Sequence, residues 1–118
     1  MGLIHIEGTL TGKNNNSETV EFLVDSGASY TLLPKQVWEK LELKSKKSLS
    51  FILADGTKVE RGISECFIQI LDDEGHTPVL LGEEGDDALL GTVTLEEFGF
   101  VLNPFSRTLQ SSMKLRLA

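Results

Sequence analysis

The 118-residue chain is 40% apolar and 25% charged, which is the size and make-up of one folded domain spanning residues 1–118. Eleven basic against 18 acidic residues leave a net charge of −7, which argues against a nucleic-acid surface. No apolar run approaches the roughly 20 residues of a membrane span, and the N-terminus has neither the basic start nor the long apolar stretch of a signal peptide. A single cysteine, Cys66, rules out an intrachain disulfide and fits a reducing compartment, the cytoplasm; its alternating surroundings read as buried. His5 and His76 are too far apart for metal-ligand spacing, so neither a metal nor another cofactor is expected. A domain of this size buries only about two-thirds of its unfolded surface, so pairing with a second copy would add useful burial.

In chain order the pattern is short strands separated by turn signals. A strand over 3–10 leads to the polar turn Gly12-Lys13-Asn14-Asn15-Asn16-Ser17, and residues 19–24 return with Val20, Phe22 and Val24 on one face. The chain then meets Asp25-Ser26-Gly27-Ala28-Ser29, and extended structure resumes over 30–33. Pro34 opens a short helix over 34–41. Residues 49–53 and 58–63 form a hairpin around Ala54-Asp55-Gly56-Thr57, and 66–71 form a further strand. Asp72-Asp73-Glu74-Gly75 reads as a turn that includes the start of His76's loop, with 77–81 a strand after it. An acidic loop, 82–87, precedes the buried run Ala88-Leu89-Leu90-Gly91. Residues 92–98 read as a helix with Thr94 as a cap, followed by a strand at 100–102, a turn at Asn103-Pro104, a strand at 108–110 and an alternating tail at 113–117. The fold class is therefore all-β with two short helices, built as a small barrel or sandwich.

The informative segment is Phe22-Leu23-Val24-Asp25-Ser26-Gly27-Ala28. An apolar strand places an acid at its end, and Gly27 permits either close backbone approach or positive φ. Turn amides can then hold the carboxylate in one orientation. Asp, Ser and Gly are also ordinary turn residues, so the tripeptide by itself leaves a plain loop open. The acidic loops 72–75 and 83–87 lack the ligand spacing of a calcium loop, and neither a Gly-x-Ser-x-Gly elbow nor a phosphate loop is present.

With its apolar pair, Asp25-Ser26-Gly27 and Ala28, the segment resembles the signature of the aspartic peptidases. The later Leu89-Leu90-Gly91 before a short helix, and the 51–63 hairpin between the two, are similar to that family's second glycine motif and flap. Across residues 3–110 the order resembles small retropepsin-like (retroviral-protease-type) domains of cellular or bacterial origin. The resemblance implies a single-lobed, closed acid-protease barrel working as a homodimer on an extended peptide. It implies Asp25, Ser26 and Gly27 as the catalytic turn, and Ala28, Ala54, Asp55, Gly56 and Leu90 in contact with substrate. Ser26 stands where threonine is commoner, and the flap carries only Gly56 and Gly62.

Chemistry leads to the same partner. Amide hydrolysis by this route needs two carboxylates about 3 Å apart sharing one proton. The chain has one Asp-Ser-Gly turn, so a twofold axis would supply the other copy of Asp25. Two other readings keep the same residues: a catalytically silent dimerisation or peptide-binding domain, and an unrelated β-barrel with Asp25 on its surface.

Overall fold

In a computed structural model of the chain, residues 4–25, 27–103 and 108–111 are described. Ser26, the first residue of the expected 3–10 strand, Pro104 in the expected turn and the expected 113–117 strand lie outside them.

The first hairpin joins β1 (His5–Thr11) to β2 (Ser17–Val24) in antiparallel register, with Phe22 opposite Ile6. Its turn closes through Asn15, which takes positive φ (67°), a conformation asparagine accepts more readily than most residues. Asn14 accepts the Asn16 N–H through its side-chain oxygen. The expected face of β2 is the inward one: Phe22 is 0% exposed, Val24 is buried and Val20 packs against the same cluster.

β3 (Thr31–Leu33) follows the Asp25 turn and leads into α1 (Lys35–Lys40). Pro34 sits one position earlier than expected, as the N-cap, with Val37 and Leu41 buried beneath the helix. The Trp38 indole N–H donates to the Gly82 carbonyl at 2.9 Å while the ring packs on the core.

β4 (Lys47–Ile52) pairs with β5 (Lys58–Ile70). β5 is one strand of 13 residues, where the sequence pattern predicts two separate strands. Gly62 and Ser64 do not interrupt it, because β6 (Asp73–Leu81) supplies ladder bonds from Gly62 to Ile70. The turn between β5 and β6 is only Leu71-Asp72, with Leu71 at φ 56°; Asp73, Glu74 and Gly75 belong to β6 rather than to a turn. His76 lies within β6, exposed, with Phe67 edge-on at 5.4 Å.

β7 (Leu89–Leu90), α2 (Thr92–Glu97), β8 (Phe100–Asn103) and β9 (Thr108–Ser111) complete the order. The main sheet runs β1-β2-β7-β3-β6-β5-β4, and β1 also pairs with β5. The circuit β1-β2-β7-β3-β6-β5-β1 is thus closed, a barrel with β4 attached outside it. Leu10, Phe22, Leu33, Leu41, Ile68, Ile70, Val79 and Leu90 fill the interior at 0% exposure. β8 and β9 form a separate two-stranded antiparallel sheet. Among the described residues the fold is mostly β with two short helices, as the sequence pattern indicates.

Candidate active site

Asp25 stands at the end of β2, half-buried, immediately after the inward-facing Val24. Its backbone is held on both sides: its N–H donates to the Leu90 carbonyl at 3.2 Å, and its own carbonyl accepts the Ala28 N–H at 3.1 Å. The carboxylate is held too, since Oδ1 accepts the Gly27 N–H at 2.8 Å. Gly27 is not among the positive-φ glycines, so its value here is close approach: a Cβ would lie 3.2 Å from Asp25 Oδ1.

The strand β7 is wedged between the strand entering this turn and the one leaving it. Leu23 and Val24 pair with Leu89 and Leu90 in parallel, and Leu32 pairs with Leu89 antiparallel. Gly91 then passes over the backbone of the turn's exit. A Cβ there would stand 2.6 Å from the Tyr30 carbonyl oxygen and 2.7 Å from that of Ser29. The first turn of α2 donates back to the same segment, Thr92 N–H to the Ala28 carbonyl and Val93 N–H to the Ser29 carbonyl, both at 2.9 Å. Those two bonds satisfy helix-start amides that would otherwise lack partners. Thr94 is therefore not the cap that its position predicts. The N-cap is Gly91, and the Thr94 side chain is fully buried.

Beside the turn lies a cavity of about 470 Å³, with Gly27, Ala28, Leu32 and Leu89 on one side and Phe51, Leu53 and Val59 of the β4–β5 hairpin on the other. Ile52 also lines it while remaining 71% exposed. Arg61 and Asp86 add charge at the cavity; Arg61 Nη1 is 3.7 Å from Glu83 Oε1, and Asp86 Oδ2 accepts the Glu83 N–H at 2.6 Å. Asp86 is thus committed to folding its own loop. A second cavity of about 360 Å³, bordered by Lys13, Glu42, Lys44, Lys46 and Glu65, has mixed charges and no residue of the Asp25 turn.

Of the expected substrate contacts, Ala28 lines the cleft. Ala54, Asp55 and Gly56 form the exposed hairpin tip outside the lining. There Gly56 takes φ +88°, and the Thr57 N–H bonds Asp55 Oδ1 at 2.9 Å. Hydrogen bonds from the Thr57 hydroxyl and backbone N–H hold the Asp55 carboxyl below its ordinary range. Leu90 is a correction: its side chain is 0% exposed in the core, and its neighbour Leu89 faces the cleft. Alternation along a strand puts adjacent side chains on opposite faces, so an error of one residue moves the contact from wall to core. Phe51, Leu53, Val59 and Arg61 were not anticipated individually, although the hairpin arms containing them were.

A closed β barrel with an acid turn beneath a hairpin is the architecture of a single-lobed acid protease. Residues 10–97 match a family model described as "gag-polyprotein putative aspartyl protease", and the chain belongs to that family. A solved structure of a retropepsin-like aspartic protease from Rickettsia conorii superimposes with a TM-score of 0.61, covering 86% of this chain and 77% of that one at 24% identity. At that identity the likeness speaks for the fold. No curated protein matches the chain.

Proposed function

We propose that the chain is an aspartic endopeptidase that acts as a homodimer, with Asp25 of each subunit meeting at a twofold axis. The observation that carries this reading is the Asp25 turn itself: a carboxylate held by the Gly27 N–H, at a strand end pinned by Leu90, beside a cleft roofed by a hairpin. One Asp-Ser-Gly turn per chain gives half of the required pair, and the family membership favours the second half coming from another copy.

In the dimer one Asp25 takes a proton from water as the water attacks the scissile carbonyl. The other, protonated, donates to the carbonyl oxygen. The tetrahedral adduct then collapses by proton transfer to the leaving amine. An extended peptide lies between the turn and the 51–63 hairpin, its large side chains against Leu32, Leu89, Phe51 and Leu53. From the family resemblance, Ser26 supplies a hydroxyl bond across the axis.

The deciding experiment is a mixed-peptide cleavage profile across pH, run beside Asp25→Asn. Cleavage at discrete bonds that disappears in the variant while the fold persists supports the reading. Equal cleavage by both proteins removes Asp25 from the mechanism, and no cleavage by either leaves a peptide-binding domain in its place.

A further inference from the structure

Behind the Asp25 turn is a chain of three hydroxyls far apart in sequence. Thr31 Oγ1 lies 2.6 Å from Thr94 Oγ1, which lies 2.8 Å from Thr77 Oγ1. All three residues are 0% exposed. They come from β3, α2 and β6, so the cluster ties together three elements around the turn. At its near end, Thr31 Oγ1 accepts the Gly91 N–H at 3.1 Å.

That last bond has a consequence for Asp25. The Gly91 N–H and the Leu90 carbonyl are the two polar groups of one peptide plane, pointing in opposite directions. One side of the plane donates to Thr31 and the other accepts the Asp25 N–H. Without the hydroxyl, the plane loses its anchor on the β3 side, and rotation of the plane draws the Leu90 carbonyl off Asp25. Thr31 Oγ1 thus accepts from Gly91 while it shares a hydrogen bond with Thr94 Oγ1, so the hydroxyl is held between two partners. In a dry site such a bond has no water to replace it.

We propose that Thr31 is a positioning residue for Asp25, acting through the Leu90–Gly91 peptide, with Thr94 and Thr77 holding its hydroxyl in place. This rests on Asp25 being the reacting carboxylate. In a paired site, the closeness of the two carboxylates sets the gap between their apparent titrations. A loosened Asp25 lets the two sit farther apart, which narrows the gap. Both limbs of the pH–rate profile then move toward each other, a change that a mere loss of folded protein cannot produce.

The test compares Thr31→Val, which keeps the shape and removes the hydroxyl, with Thr31→Ser, which keeps the hydroxyl. Amide exchange is followed for Asp25 and Gly91, with Val20 in the β1–β2 hairpin as internal reference, and kcat, KM and the pH profile are measured on a cleaved peptide. Thr31→Val is expected to raise exchange at Asp25 and Gly91 at least about tenfold relative to Val20. It is expected to lower kcat roughly ten- to a hundredfold with KM little changed, and to narrow the pH profile. Thr31→Ser should restore most of each. Parent-like exchange at Asp25 and a parent-like pH profile in Thr31→Val overturn the proposal, as do equal losses in the valine and serine variants. Should Thr31→Val fail to fold, Thr94→Val takes its place, since it removes the partner of the Thr31 hydroxyl; the same readouts decide in the same directions. If the parent cleaves no peptide, the peptidase reading fails separately, and exchange at Asp25 still decides whether Thr31 holds it.

Discussion

Replacing Gly91 with alanine puts one methyl group against the backbone of the turn's exit. The new Cβ would lie 2.6 Å from the Tyr30 carbonyl oxygen, 2.7 Å from that of Ser29, and closer still to the Tyr30 carbonyl carbon. Backbone cannot rotate away as a side-chain tip can, so β3 or the β7–α2 junction must move. Overpacking of well-packed interiors costs about 1–3 kcal/mol, and three backbone clashes put this case at the upper end, about 3 kcal/mol. That is a large fraction of a typical total of about 5–15 kcal/mol. For a chain of this length the expected drop in Tm is about 10–15 °C. Gly27→Ala supplies the contrast. Its Cβ would meet only Asp25 Oδ1, at 3.2 Å, and the residue does not need positive φ. Its Tm should stay within about 3 °C of the parent while peptide hydrolysis falls at least about tenfold, because the displaced atom is a carboxylate oxygen. Differential scanning calorimetry and peptide kinetics on both variants check the pair. A Gly91→Ala protein that melts within about 2 °C of the parent would refute the packing argument.

Mixing parent chains with excess Asp25→Asn chains should suppress hydrolysis as subunits exchange, and dilution of the parent alone should lower specific activity; activity that stays proportional to parent chains after demonstrated exchange would refute a shared site. In the free protein the Gly56 amide, bonded only to the Leu53 carbonyl at an exposed tip, should exchange far faster than those of Phe22 and Leu23. Equal protection in hydrogen exchange would show a hairpin that does not open. Burial pushes the Cys66 thiol up to about 11, with a backbone hydrogen bond of Thr11 a smaller opposing influence. The folded chain therefore holds this proton more tightly than the unfolded one, and the contribution is complete below the ordinary thiol value and lost as pH rises through about 11. Denaturant titrations should show stability falling between about pH 9 and 11 by up to about 2–3 kcal/mol, and Cys66→Ala should flatten that limb; an unchanged slope in the variant would assign the loss elsewhere.

The site was legible where local pattern and tertiary role coincide. Val20, Phe22 and Val24 alternate because one face of β2 is core, and Asp25 follows directly, so the end of the strand marks the acid. The hairpin turn at Asp55-Gly56 was legible from its residue types, as Gly56 does take positive φ. Leu71 shows the limit. A leucine at φ 56° carries no turn signal, and the neighbouring acidic residues drew the turn toward themselves although Asp73 and Glu74 open β6. The α2 start was misread for a related reason. Its amides are satisfied by carbonyls of Ala28 and Ser29, which lie more than sixty residues earlier, and local capping rules see only neighbours. The joining of Thr31, Thr77 and Thr94 left no trace, since Thr31 and Thr77 read as strand residues and Thr94 as a cap until the barrel closes around them.

The unbroken course of β5 limits how such a chain can diverge. Its first residues are an arm of the roof and its last are a stave paired with β1 and β6, with Arg61 and Gly62 at the changeover. A single inserted residue anywhere along it would reverse the parity of everything on one side, turning Cys66, Ile68 and Ile70 outward or Val59 and Arg61 away from the cleft. Length changes in the roof are therefore confined to the tip at 53–57, or must come two residues at a time and be matched on β4. Variants drawn from a random insertion library should survive in that pattern, with the tip permissive and β5 tolerant only of even steps.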